Sequence, residues 1–226
     1  MNPGSPILDR LRRFMAAPLH NKLHIISTLL YKIKGILVYR LVFQQFGRGS
    51  CIRKPLLILY PNFIRIGERV FIRDGVRLEV VRSSEDRIPE LTIGDDTNIE
   101  QNVHIVCHSR VRIGCKVSIT GNCSIVDVTH PFSDIHDPKK IGLRIKDEDS
   151  FVEIGDGSFV GFGSVILPNV RIGMHSVIGA NSVVTEDVPD YAVAGGIPAV
   201  VLKQYDFSKD LWVRVPSRPS SQVRES

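Results

Sequence analysis

Between residues 66 and 188 an aliphatic side chain returns at every sixth position, in the triplets Ile66, Ile72, Leu78; Ile93, Ile99, Ile105; Ile113, Ile119, Ile125; Ile154, Val160, Ile166; and Ile172, Ile178, Val184. Four positions after each stands a small residue or a valine, with Arg82 the one departure. Glycine often follows the aliphatic position directly, as at Gly67, Gly94, Gly114, Gly155, Gly161, Gly173 and Gly179. A period of six is neither the 2 of a lone strand nor the 3.6 of a helix. It fits a coil of three six-residue sides, in which each aliphatic residue stacks on its equivalent one turn below. The pattern therefore predicts an all-β solenoid, a parallel β-helix of five coils. With parallel strands about 4.8 Å apart, the prism would be roughly 24 Å long.

Two stretches break the rhythm, Ser83 to Glu90 and Pro131 to Ser150, and a regular coil tolerates an excursion only at a corner. The second is long and charged, so it is predicted to protrude as a loop. Ahead of the repeat, Ile7 to Phe46 has a mostly helical apolar rhythm (Leu8, Leu11, Phe14, Leu23, Ile26, Leu29, Leu30, Ile33, Ile36) with Lys and Arg between, which predicts one or two amphipathic helices. Its most apolar run, Gly35 to Phe43, is too short to span a bilayer and contains Arg40. The resulting layout is a basic, helical capping segment over 1–61, the β-helix over 62–203 with its loop at 131–150, and a C-terminal tail over 204–226. Ser217 to Ser226 is expected to be disordered.

At 226 residues with 43% hydrophobic and 23% charged residues, the chain has ordinary globular composition. Cys51, Cys107, Cys115 and Cys123 form no C-x-x-C pair, and the first residues lack a signal-peptide layout, which points to the cytosol and free thiols. Charge sharpens the picture of the N-terminal segment. Residues 1–60 hold four lysines and six arginines against Asp9 alone, a net +9, which leaves −4 of the total +5 for the rest. Such a segment suits either a cap on the open end of the solenoid or a peripheral contact with the inner face of the plasma membrane through residues 1–50. It lacks the aromatic-studded basic strand or recognition helix of a nucleic-acid binder.

Three strings carry a family resemblance. Asp127-Val-Thr-His-Pro131 opens the long loop, and Ile178-Gly-Ala-Asn-Ser-Val-Val-Thr-Glu-Asp-Val-Pro189 and Gly195-Gly-Ile-Pro-Ala199 close the repeat. Together with the repeat they resemble the hexapeptide-repeat acyltransferases that use acetyl-CoA. Ser133-Asp-Ile-His-Asp-Pro138 and the ending Gln204-Tyr-Asp-Phe…Leu211-Trp212 resemble the O-antigen O-acetyltransferases of lipopolysaccharide biosynthesis. The resemblance implies left-handed coiling, a homotrimer with composite sites between subunits, acetyl-CoA as co-substrate without a metal, and a saccharide acceptor.

It also implies roles for individual residues. An alcohol is a poor nucleophile near neutral pH, and a neutral imidazole, ordinarily titrating near 6.5, removes its proton as it attacks. His130, at the family's position before Pro131, would be that general base. Asp127 would orient it or bind acceptor hydroxyls, with Glu100 and Asn102 near the acceptor. Gly161, Phe162, Gly163, Gly179, Ala180, Thr185 and Lys203 would hold CoA, and a backbone N–H near Gly161-Phe162 would meet the developing oxyanion. Phe159, Glu186 and Val200 depart from the family's usual Trp, Lys and basic residue, so two cations expected for the CoA phosphates are missing. Three competing readings are an N-acetyltransferase acting on an amino group of a nucleotide sugar, a γ-type zinc carbonic anhydrase using His104, His108 and His130, and a non-catalytic trimeric scaffold.

Overall fold

The computed structural model describes residues 6–146 and 148–216; the tail expected to be disordered, Ser217 to Ser226, lies outside them. Strands succeed one another in threes, and each pairs in parallel with the strand three places on. The first turn is β1 (Gln45–Phe46), β2 (Cys51–Ile52) and β3 (Leu57–Leu59), followed by β4 (Ile64–Ile66), β5 (Phe71–Ile72) and β6 (Arg77–Val80). Next come β7 (Glu90–Ile93), β8 (Asn98–Ile99) and β9 (His104–Cys107), then β10 (Arg110–Ile113), β11 (Ser118–Ile119) and β12 (Ser124–Val126). The fifth turn is β13 (Phe151–Ile154), β14 (Phe159–Val160) and β15 (Val165–Ile166), and the sixth is β16 (Val170–Ile172), β17 (Val177–Ile178) and β18 (Val183–Val184). The three parallel sheets so formed are the sides of a coil.

The registers explain the period of six. Ile66, Ile93, Ile113, Ile154 and Ile172 form one column, Ile72, Ile99, Ile119, Val160 and Ile178 a second, and Leu78, Ile105, Ile125, Ile166 and Val184 a third. All fifteen are buried. The small residues between them fill the corners and satisfy the backbone there. Ser50, Thr97, Ser158 and Ser176 donate hydroxyl protons to the carbonyls of Gly67, Gly114, Gly173 and Pro189, one turn up, at 2.6–2.8 Å. Arg82 and Thr129, which escape this burial, stand where the two excursions leave the coil.

The stack is one turn longer than the five coils read from the sequence. β1 to β3 carry Phe46, Ile52 and Ile58 in the same columns, so residues 45–59 of the expected capping segment belong to the coil. The extra turn was hidden because a short 3-10 turn, Pro61–Phe63, adds two residues before Ile66 and shifts the period. Helices α1 (Pro6–Ala16) and α2 (Leu19–Lys34), a π-helical turn (Gly35–Tyr39) and the short α3 (Arg40–Val42) precede it. Tyr39, Phe43 and Phe46, with ring centroids 5.4–5.5 Å apart, close the lower end of the core. At the other end, residues 204–214 of the expected tail form strands as well. β19 (Ala192–Gly196) adds to the second sheet in parallel, and β20 (Ala199–Asp206) and β21 (Leu211–Arg214) follow antiparallel.

Candidate active site

Each turn has three corners, and the candidate residues divide between two of them. Glu100, Asn102, Gly161, Phe162, Gly163, Gly179 and Ala180 follow strands of the second sheet and so lie at the second corner. Asp127 and His130 follow β12, and Thr185 follows β18, at the third corner. The third sheet lies between. At about 3.3 Å per residue, the stretch from Asn122 at the second corner to Asp127 at the third holds the two edges roughly 15 Å apart. One chain therefore does not bring His130 to the glycine-lined edge.

His130 is exposed at the root of the 131–150 loop, and its Nδ1 lies 3.0 Å from the Arg144 carbonyl oxygen. A carbonyl only accepts, so Nδ1 carries the proton and Nε2 presents a lone pair. Arg144 itself organises the loop. Its guanidinium donates to the carbonyls of Lys139 (2.9 Å), Asp134 (2.9 Å) and Asp137 (2.7 Å), pairs with the Asp137 carboxylate at 3.3 Å, and is only 11% exposed. The loop sequence thus folds around one half-buried cation whose own carbonyl orients the imidazole. Sequence reasoning passed over Arg144; its signal was a lone arginine among the loop's apolar residues Ile141, Leu143 and Ile145.

The hydrogen bonds of Asp127 run to the turn below it and not to His130. Asp127 is fully buried, and its carboxylate accepts the N–H groups of His108 (2.5 Å), Ser109 (2.8 Å) and Arg110 (2.7 Å), the corner one turn below. Burial pushes its carboxyl above the ordinary range while these three bonds pull the other way. Its geometry is that of a structural clamp, because an aspartate at a coil corner can satisfy the free amides of the adjacent turn. Glu100 pairs with Arg73 at 2.6 Å. Asn102 holds a left-handed corner (φ 58°), as Asn122 and Asn181 do in equivalent places. Both lie at the second corner.

The glycines at the second corner are of two kinds. A Cβ at Gly161 would lie 2.5 Å from the Ala180 nitrogen, and Gly163 has φ +72°, so coil geometry alone requires both. At Gly179 a Cβ would meet nothing closer than 3.6 Å. Stacking therefore does not require glycine there, and the surface is left open for close approach. Of the Gly161-Phe162 pair, the Gly161 N–H is engaged by the Ile178 carbonyl (2.9 Å). Phe159 and Phe162 are exposed beside it. The turn Gly196–Ala199, with a cis Ile197–Pro198 bond, sits at this same corner next to Gly179, and β20 leads from it to Lys203. Lys203 stands directly across from Arg214. Like charges in that relation are unfavourable unless an anion bridges them.

The histidines proposed for zinc do not converge. His108 is buried with Nε2 2.9 Å from Ser83 Oγ, His104 sits on the third sheet with its pKa lowered by burial and by Arg77, and His130 is held by the loop. Among the described residues no group of three metal-ligating side chains is placed to hold an ion.

Residues 151–186 match the family described as bacterial transferase hexapeptide (six repeats). The galactoside O-acetyltransferase of Lactococcus lactis subsp. lactis (strain IL1403) is 32% identical over 178 residues, covering 75% of this chain and 71% of that protein. The chain belongs to the hexapeptide-repeat acetyltransferases. A second member, the putative lipopolysaccharide biosynthesis O-acetyl transferase WbbJ of Escherichia coli (strain K12), is 28% identical and covers 80% of this chain and 90% of its own. The N-acyltransferase AntD from Bacillus cereus, solved with dTDP and 3-hydroxybutyryl-CoA, shares the fold at TM-score 0.61 and 22% identity, over 75% of this chain and 87% of that one. Membership makes the protein an acetyltransferase, and the family match falls on the repeat after the long loop.

Proposed function

We propose that the enzyme transfers an acetyl group from acetyl-CoA to a hydroxyl of a surface polysaccharide or its precursor, in the cytosol, as a left-handed β-helical homotrimer with three sites. The observation that carries this reading is the bond from His130 Nδ1 to the Arg144 carbonyl, which leaves Nε2 free as the general base. The separation of His130 from the Gly179 edge by a whole sheet supports sites shared between subunits, in which the loop of one chain faces the second corner of its neighbour.

Acetyl-CoA supplies an acyl group already activated as a thioester. Gly179, Ala180 and the exposed faces of Phe159 and Phe162 would line the path of its pantetheine arm, and Lys203 with Arg214 would hold a phosphate. Thr185, at the far edge of the third sheet, would contact only the part of the nucleotide that reaches it. His130 Nε2 would take the acceptor hydroxyl proton as the oxygen attacks the thioester carbon. The Phe162 N–H would donate to the carbonyl oxygen as charge builds there, and as the carbonyl re-forms the C–S bond would break, CoA leaving as the thiol with the proton that His130 took. Glu100 and Asn102 would contact the saccharide.

Titration calorimetry of acetyl-CoA into the purified, metal-stripped enzyme tests the reading without knowledge of the acceptor. Micromolar binding at one site per subunit is expected. Absence of binding would contradict it.

A further inference from the structure

The N-terminal helix is mounted with its polar side toward the protein. The residues of α2 and the following turns that meet the body are His24, Thr28, Tyr31, Gly35 and Tyr39, spaced three or four apart. His24 Nδ1 lies 3.2 Å from Arg53 Nη1, the Thr28 carbonyl faces Cys51 Sγ, the Arg53 guanidinium stands 5.8 Å from the Tyr31 ring centre, and Gly35 packs on Phe46. On the opposite side, at the same spacing, run Leu19, Leu23, Ile26, Leu30, Ile33, Leu37 and Leu41, between 41% and 83% exposed. A surface helix normally buries its apolar stripe against the core. This stripe points outward over about six helical turns, and a contiguous apolar surface of that kind marks contact with another apolar phase.

Charge decides what that phase is. From residue 10 to residue 67 the chain has no Asp or Glu and eleven Lys or Arg. A second copy of the segment would bring the same cations against these. An anionic bilayer supplies both an apolar interior for the stripe and negative headgroups for the cations beside it. Lys22 and Arg40, beside Leu23 and Leu41 near the two ends of the stripe, are the cations proposed for those headgroups. Among the described residues no helix is long and apolar enough to cross a membrane, so the helix would lie in the plane.

We propose that residues 19–42 dock the enzyme on an anionic lipid bilayer, with the leucine and isoleucine stripe entering the acyl boundary. The proposal is independent of the acetyl-transfer reading, and its test needs no substrate. The full-length protein is co-sedimented with vesicles of phosphatidylcholine alone and of phosphatidylcholine mixed with phosphatidylglycerol, at low and high salt. Its oligomeric state without lipid is read by sedimentation velocity. Binding to the mixed vesicles should be at least about tenfold tighter than to phosphatidylcholine, and should weaken with salt. Leu30→Glu/Leu37→Glu should abolish it with unchanged thermal midpoint and oligomeric state. Lys22→Gln/Arg40→Gln should weaken it by about tenfold to thirtyfold. Absence of binding, equal binding to both vesicle types, or dissociation of the oligomer by Leu30→Glu/Leu37→Glu would overturn the proposal; the last would assign the stripe to a contact between copies.

Discussion

The carbonyl oxygen of Arg144 accepts the Nδ1 proton of His130 at 3.0 Å, while the guanidinium of the same arginine is tied to three carbonyls of the loop. One residue therefore both builds the loop and fixes the tautomer of the proposed base. Lysine cannot reproduce a three-carbonyl fork. Arg144→Lys should lower kcat by about tenfold to a hundredfold, the usual result of misplacing a reacting group by about an ångström. Acetyl-CoA affinity and assembly should be retained, and the acidic limb of the kcat pH profile should move. A purely structural arginine would lower the thermal midpoint and leave that limb in place.

Gly161 and Gly179 look alike in sequence and differ in what a methyl group would meet. Gly161→Ala should destabilise the coil, because its Cβ would lie 2.5 Å from a backbone nitrogen. Gly179→Ala should fold with a near-normal thermal midpoint and raise the KM for acetyl-CoA. If both variants melt low, or Gly179→Ala leaves the KM unchanged, the second corner is not the donor edge.

Asp127 separates clamp from ligand. Asp127→Asn turns an amide N–H₂ toward backbone N–H groups and should cost about 1–3 kcal/mol of stability by denaturant titration. Turnover per folded molecule should stay near normal. A large loss of turnover at unchanged stability would return Asp127 to the acceptor site.

Acid should weaken the fold through carboxylates held low. Ser208 and Lys209 keep Asp206 at about 2, and the bond from Arg112 lowers Glu90. A carboxylate with a depressed folded pKa stabilises above its unfolded value, and that contribution is lost as pH falls toward the folded one. The thermal midpoint should therefore fall between about pH 4 and pH 2. Asp127, raised by burial, works in the opposite sense, so Asp127→Asn should make the acid loss steeper.

The coil was legible because every one of its columns repeats with a period that no other element has. Its first turn was not, since two residues inserted at Pro61–Phe63 shifted the count and an aromatic ring, Phe46, took the aliphatic place. The place of His130 at the root of a protruding loop was legible from Pro131 and from the break in the repeat. The bonds of Asp127 could not be read from its closeness to His130 in sequence, because a coil corner satisfies amides of the turn below, nineteen residues away at His108. Arg144 and Arg214 escaped notice because their roles depend on what lies across space from them, a loop carbonyl in one case and Lys203 in the other.

The most direct measurement is acetyl transfer from radiolabelled acetyl-CoA to a saccharide acceptor by the wild-type enzyme and by His130→Ala, with acetyl-CoA binding and oligomeric state checked for both. The account predicts turnover lower by about 10²–10⁴ in His130→Ala, the usual worth of a general base, with binding and assembly intact. Near-normal turnover in that variant would contradict it.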